Sequence, residues 1–244
     1  MSPRITLATA GRVLRQLRRD HRTLALVLFV PAVLMTLFRY VFEGQDATFD
    51  RVGPPMVGIF PFVTMFLVTS IAMLRERTSG TLERLMSMPL AKLDLLLGYG
   101  LAFAAVAVVQ ATVTALVSYG LLGLDAHGPA WLVVVLAVAN AILGMALGLF
   151  LSAFAQTEFQ AVQFMPAFVL PQLLLAGLIV PRENMARFLG LVSDVLPMTY
   201  AYDALARAAA DDLGARLALD AALIGGFIVL ALLLGATTLR RRTA

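Results

Sequence analysis

The chain has no cysteine, one lysine and two histidines, and only 14% of its residues are charged. Without cysteine there are no disulfides, thiolate metal sites or cysteine nucleophiles. His21 and His127 fall in separate loops expected on opposite sides, too few for a metal site on their own. The lone lysine, Lys92, lies between Ala91 and Leu93, so no G-x-x-x-x-G-K-[ST] loop exists to cradle the phosphates of ATP. H-E-x-x-H and G-x-S-x-G are missing too, which argues against a membrane zinc protease or an elbow-type serine hydrolase.

What remains is apolar. Hydrophobic residues make up 60% of the 244 and the mean hydropathy is +0.88, beyond the roughly 45–50% apolar share of soluble domains. A hydrocarbon core about 30 Å thick needs roughly 20 apolar residues per helix. Six stretches qualify, at about 23–42, 54–74, 95–122, 131–155, 159–180 and 221–239, so the chain reads as one all-α membrane domain spanning 1–244. Pro31 lies inside the first span, Pro166 and Pro171 break the regularity of the fifth, and Trp131 opens the fourth as an interfacial anchor. Before the first span, residues 1–22 place Leu7, Ala10, Val13, Leu14 and Leu17 on one helical face. Arg12, Arg15, Arg18 and Arg19 take the other, the pattern of a helix lying in the headgroup plane. The segment is too long in its apolar continuation for a cleaved signal peptide. Between 182 and 219 apolar and charged residues alternate, which predicts short helices dipping into the interface before the last span.

Basic residues set the orientation. The N-terminal segment carries six, the loop between spans two and three carries Arg75, Arg77, Arg84 and Lys92, and the tail carries Arg240, Arg241 and Arg242. The alternate loops hold Arg51, Arg182, Arg187, Arg207 and Arg216, with Arg39 nearby, among many acids. Both termini are therefore expected in the cytoplasm. The arginine excess belongs with membrane headgroups rather than nucleic acid.

Spans two, three and four carry no charge, which argues against self-sufficient ion coupling. The polar groups at depth are neutral: Gln110, Thr112, Asn140, Gln163 and Gln172. Hydrogen bonding between helices is the simpler use for them. Gln110, Asn140, Gln163 and Gln172 are also the candidates for a translocation path. Asn140, Gly144, Gly148 and Ser152 recur every four residues, a stripe that lets another backbone come close.

The loop after span two reads RERTSGTLERLMSMPLAKLDLLLG. Gly80 can open a helix, Glu83 falls in its first turn and Pro89 marks its end. Leu82, Leu85 and Met86 then point one way, Glu83, Arg84 and Ser87 the other. Such an amphipathic peg can dock in a groove of a cytosolic partner or rest on lipid. The order R-x-R-x-x-G-T-L-E-R-L, then Pro89, then L-L-L-G-Y, resembles the type-2 ATP-binding-cassette exporter permeases, in particular the branch with antibiotic-resistance efflux permeases. Ala176-Gly177, Leu196-Pro197-Met198-Thr199-Tyr200 and Asp203 to Arg207 are similar to that family's outer segment.

The resemblance implies a multidrug-type permease of a bacterial cytoplasmic membrane that has no ATPase site of its own. It would pair with a second permease copy, as homodimer or close heterodimer, and bind two copies of a separate ATPase subunit that holds ATP and magnesium. Residues 80–88 would form the coupling helix that fits the ATPase. The contact residues would be Arg75, Glu76, Arg77, Gly80, Thr81, Leu82, Glu83, Arg84, Leu85 and Met86. The expected cargo is hydrophobic or amphiphilic, a drug or lipid-like molecule. A polysaccharide exporter and a non-transporting membrane anchor are the alternatives.

Overall fold

A computed structural model describes residues 2–87 and 91–238, excluding the side chains of Glu83, Met86 and Ser87. The described residues form helices and turns, with no strand among them. The expected ends at Met88 and Pro89 and the arginines of the tail lie outside the described residues.

Helix α1 (Pro3–Arg19) leads into α2 (His21–Val41) through Asp20, whose carboxylate accepts the Thr23 N–H at 3.1 Å and caps α2. Helix α3 (Asp46–Thr78) follows, then the short α4 (Thr81–Ser87), α5 (Lys92–Gly120) and α6 (Ala130–Leu151). Beyond a 3₁₀ turn come α7 (Glu158–Phe164), a π-helical turn at Met165–Val169 and α8 (Leu170–Leu175). Helices α9 (Arg187–Ser193), α10 (Pro197–Ala209) and α11 (Ala215–Thr238) complete the chain.

Five of these, α2, α3, α5, α6 with its 3₁₀ extension, and α11, are long and apolar enough to cross a membrane. The stretch expected as a fifth span, 159–180, is not one helix. Pro166 sits in the π turn and Pro171 in the first turn of α8, where each lacks the N–H that an α-helical ladder needs. Helix also ends at Leu175, short of Val180. The second span is longer than expected. Its helix starts at Asp46, taking in Asp46, Asp50 and Arg51 from the expected loop, and runs past Arg75 and Arg77. An acid in the first turn and two arginines in the last suit the helix dipole at both ends. At 33 residues α3 is about 50 Å long, well beyond a hydrocarbon core of about 30 Å.

The core lies between α3 and α6. A Cβ on Gly144 would stand 2.2 Å from the Phe62 carbonyl oxygen, and one on Gly148 would stand 2.5 Å from that of Phe66. The stripe of small residues thus brings two backbones into contact, as its spacing predicts. Phe62, Phe66, Met65 and Leu143 fill the space beside it and are fully buried. By contrast α2 and α11 keep large apolar side chains outside, among them Phe29, Val33, Leu37, Val229 and Leu233. Apolar surface turned outward on helices of this length is what a lipid environment accepts.

Candidate functional site

One end of the bundle gathers the arginine-rich segments. Helix α1 lies against α5, and the two are joined closely: Thr9 and the Thr6 carbonyl press so near Gly98 that a Cβ there would meet them at 2.5 and 2.9 Å. The Ser2 N–H donates to the Asp94 carboxylate at 3.0 Å. Ala10 and Val13 are buried in this contact, whereas Leu7 and Leu14 stay exposed. The expected apolar face is therefore divided, one part seated on the protein and the other left outward. Arg12 departs from its expected polar face as well. Its guanidinium donates to the Tyr99 hydroxyl, lies 5.4 Å from the Tyr99 ring centroid and pairs with Glu76 at 3.6 Å.

The three residues leading toward α4 belong to the last turns of α3, and each is tied to a different element. Arg75 forms a two-pronged pair with Glu158 of α7, at 2.7 and 3.0 Å. Glu76 faces Arg12 of α1. Arg77 turns inward, where its guanidinium donates to the Thr238 hydroxyl of α11 at 3.4 Å. The end of α3 is thus gripped by three other helices.

Gly80 makes the turn into α4 with φ at +72°, a conformation that costs any other L-residue. Its carbonyl accepts the Arg84 N–H at 3.1 Å, and the Ser79 and Thr81 hydroxyls share a hydrogen bond of 3.0 Å across the turn. Leu82 is buried in the main core and Leu85 half-buried against it, while Arg84 is exposed. Leu82 and Leu85 of the peg therefore face its own protein, and Arg84 faces outward. Glu83 and Met86 contribute backbone to this helix, but their side chains lie outside the description.

The four path candidates differ in exposure. Gln110 and Asn140 are fully buried, each about ten residues from the α5–α6 connection and so at similar depth. Neither side-chain amide has a hydrogen-bond partner among the described residues. Gln172 is also buried, and its amide nitrogen donates to the Phe168 carbonyl at 3.0 Å. Gln163 alone is exposed, in a cleft of about 430 Å³ shared with Phe154, Gln160 and Ala167.

At the opposite, acid-rich end the stretch before α11 is tied together by polar contacts. The Thr199 hydroxyl donates to the Ser193 carbonyl at 2.7 Å, and the Ser193 hydroxyl to the Leu175 carbonyl at 2.9 Å, joining α8, α9 and α10. Arg182 pairs with Asp194 and, at 3.2 Å, with Asp203. Arg207 holds Asp212 at 2.8 Å and Asp220 of α11 at 3.3 Å. Among the described residues no group of three or more histidine, cysteine or acidic side chains is arranged to hold a metal ion.

Sequence reasoning missed the roles of Arg12, Tyr99 and Glu158. Tyr99 and Gly98 could have been found, since they end the L-L-L-G-Y pattern: the glycine admits α1 and the tyrosine receives its arginine. Glu158 carried no comparable signal, because its partner is 83 residues away.

The family model of the ABC-2 type transporter matches residues 5–208. ABC transporter G family member 20 of Dictyostelium discoideum is 28% identical over 173 residues, covering 70% of this chain and 24% of that protein. Two Escherichia coli K12 proteins, the probable multidrug ABC transporter permeases YbhR and YbhS, are 27% and 25% identical over 152 and 163 residues. Those matches cover 62% and 66% of this chain and 41% and 43% of the two permeases. The chain thus spans less than half the length of the curated relatives it matches. With a family match running from α1 through most of α10, over the α4 peg and the glycine-stripe core, the chain belongs to the ABC-2 type transporter family.

Proposed function

We propose that this chain is the membrane-spanning permease of an ATP-driven exporter, pairing with a second permease copy and two copies of a separate ATPase subunit that holds ATP and magnesium. The membrane is crossed six times, five times by long helices and once by the proline-broken α7–α8 run. Both termini lie in the cytoplasm of a bacterial cell, and α4 is the coupling helix. The cargo is a hydrophobic or amphiphilic molecule leaving the cytoplasm or inner leaflet, consistent with a membrane domain whose α6 carries no charge and has buried neutral amides and hydroxyls beside it.

The observation that carries this reading is the mounting of α4. A seven-residue helix is too short to hold itself in water, yet this one sits between α3 and α5, and α3 is fixed beside it by Arg75, Glu76 and Arg77. A push on α4 therefore reaches the full length of α3. Because Leu82 and Leu85 face inward, the ATPase would meet the side of α4 that carries Arg84. We expect Arg84→Glu to lose co-purification with the ATPase while membrane insertion is unchanged, and Leu85→Asp to lose co-purification and thermal stability by unseating the helix. Retained ATPase binding by both variants would sink the coupling role. If ATPase binding is confirmed but paired vesicles move no cargo, the assembly is an anchor.

A further inference from the structure

An apolar opening lies at the arginine-rich end, bordered by Ser79 and Thr81 where the chain enters α4. It is a cleft of about 500 Å³ between α1, α2, α3 and α5, within the range of roughly 300–1,000 Å³ typical of ligand sites. Leu17, Leu26, Ile71 and Phe103 supply its walls, and Leu26 is 62% exposed on the outer face of α2, so the cleft opens sideways toward lipid. Its charged rim is mixed, with Asp20 and Glu76 beside Arg75. The Arg75 guanidinium is already held by Glu158 on two atoms. Asp20 and Glu76 remain. Both Asp20 oxygens face Thr23, whose N–H and hydroxyl keep the carboxyl below its usual range and therefore charged. Glu76 meets Arg12 at 3.6 Å through one oxygen and lies near the Tyr99 hydroxyl, and its other oxygen is buried without a hydrogen-bond partner among the described residues.

We infer that this cleft binds an amphiphile with a protonated amine head and an alkyl tail, the ammonium between Asp20 and Glu76 and the tail along Leu17, Leu26, Ile71 and Phe103. An amine donor satisfies the unpaired Glu76 oxygen, and the tail covers apolar wall that otherwise faces the headgroup layer. An occupant here touches α1, α2, α3 and α5 at once, and so braces the mounting of α4. The site lies within one chain.

The test uses the full chain in phosphatidylcholine nanodiscs with a dodecylammonium probe bearing a photoreactive group on its tail. Saturable labelling is expected at Leu26, Ile71 and Phe103, displaced by unlabelled dodecylammonium and not by dodecyl sulfate. Asp20→Asn keeps a good helix cap, so it should leave the thermal midpoint unchanged while weakening probe binding roughly tenfold. Ala72→Trp, which fills the cleft, should abolish labelling there. Phosphatidylethanolamine added to the discs identifies the source: displacement points to a lipid ammonium, persistence to a free amine, and both support the site. Equal competition by dodecyl sulfate, or unchanged binding by Asp20→Asn together with unchanged labelling in Ala72→Trp, overturns it.

Discussion

Gly144 shows how much one missing methyl decides. With the Phe62 carbonyl oxygen only 2.2 Å from where its Cβ would be, Gly144→Ala forces α3 and α6 apart. We expect a loss of about 1–3 kcal/mol, read as a lower unfolding midpoint in detergent. Gly190 of α9 has open space around it, so Gly190→Ala should be nearly neutral in the same assay. Arg12 works through charge. It is half-buried and shared between the Tyr99 hydroxyl and Glu76, so Arg12→Gln should loosen α1 by about 1 kcal/mol, discounted for partial solvent screening. Faster protease cleavage within α1 would report it, and cleavage at the wild-type rate would count against the docked helix. The glycine stripe was legible because a four-residue period fixes a helix face. The Arg12 contact was not, because helical periodicity cannot say which neighbour a face will meet.

Among elements, α4 and the α7–α8 run show opposite limits of sequence reading. The peg was visible in advance because Gly80 and the alternation of leucine with charge are local. Its direction was not: amphipathicity alone fits an apolar side docked on a partner, whereas Leu82 is buried in the chain's own core. Gly80→Ala tests the mounting. Holding φ at +72° costs a residue with a Cβ about 1 kcal/mol or more, so the turn should fray. ATP-driven transport in vesicles should then fall while membrane insertion is unchanged. In the fifth apolar stretch hydropathy counts residues and is blind to the ladder. Pro166 and Pro171 leave the apolar content intact but replace a spanning helix with three short pieces.

At the scale of the whole molecule, the two ends of the bundle differ in kind. The arginine-rich end ties α1, α3, α5, α7 and α11 together through charged groups, and the acid-rich end closes with its own ion pairs around Arg182 and Arg207. Because the chain has no cysteine, single cysteines can be placed without background. On the proposed topology, Ala210→Cys in intact cells should react with a membrane-impermeant maleimide. Ser79→Cys should react only after permeabilisation. Both positions are exposed, so the reverse pattern would invert the proposed topology.

Composition and period by themselves determined that this chain lives in lipid, roughly where its helices lie, and which faces of them pack closely. Those are properties of each stretch of residues, set by transfer of side chains out of water and by the helical repeat. Only the tertiary structure decided which charges meet across the chain, that α4 turns its leucines inward, and that Gln110 and Asn140 are buried at one depth. These depend on which helices become neighbours, and that is chosen by the packing of all of them together.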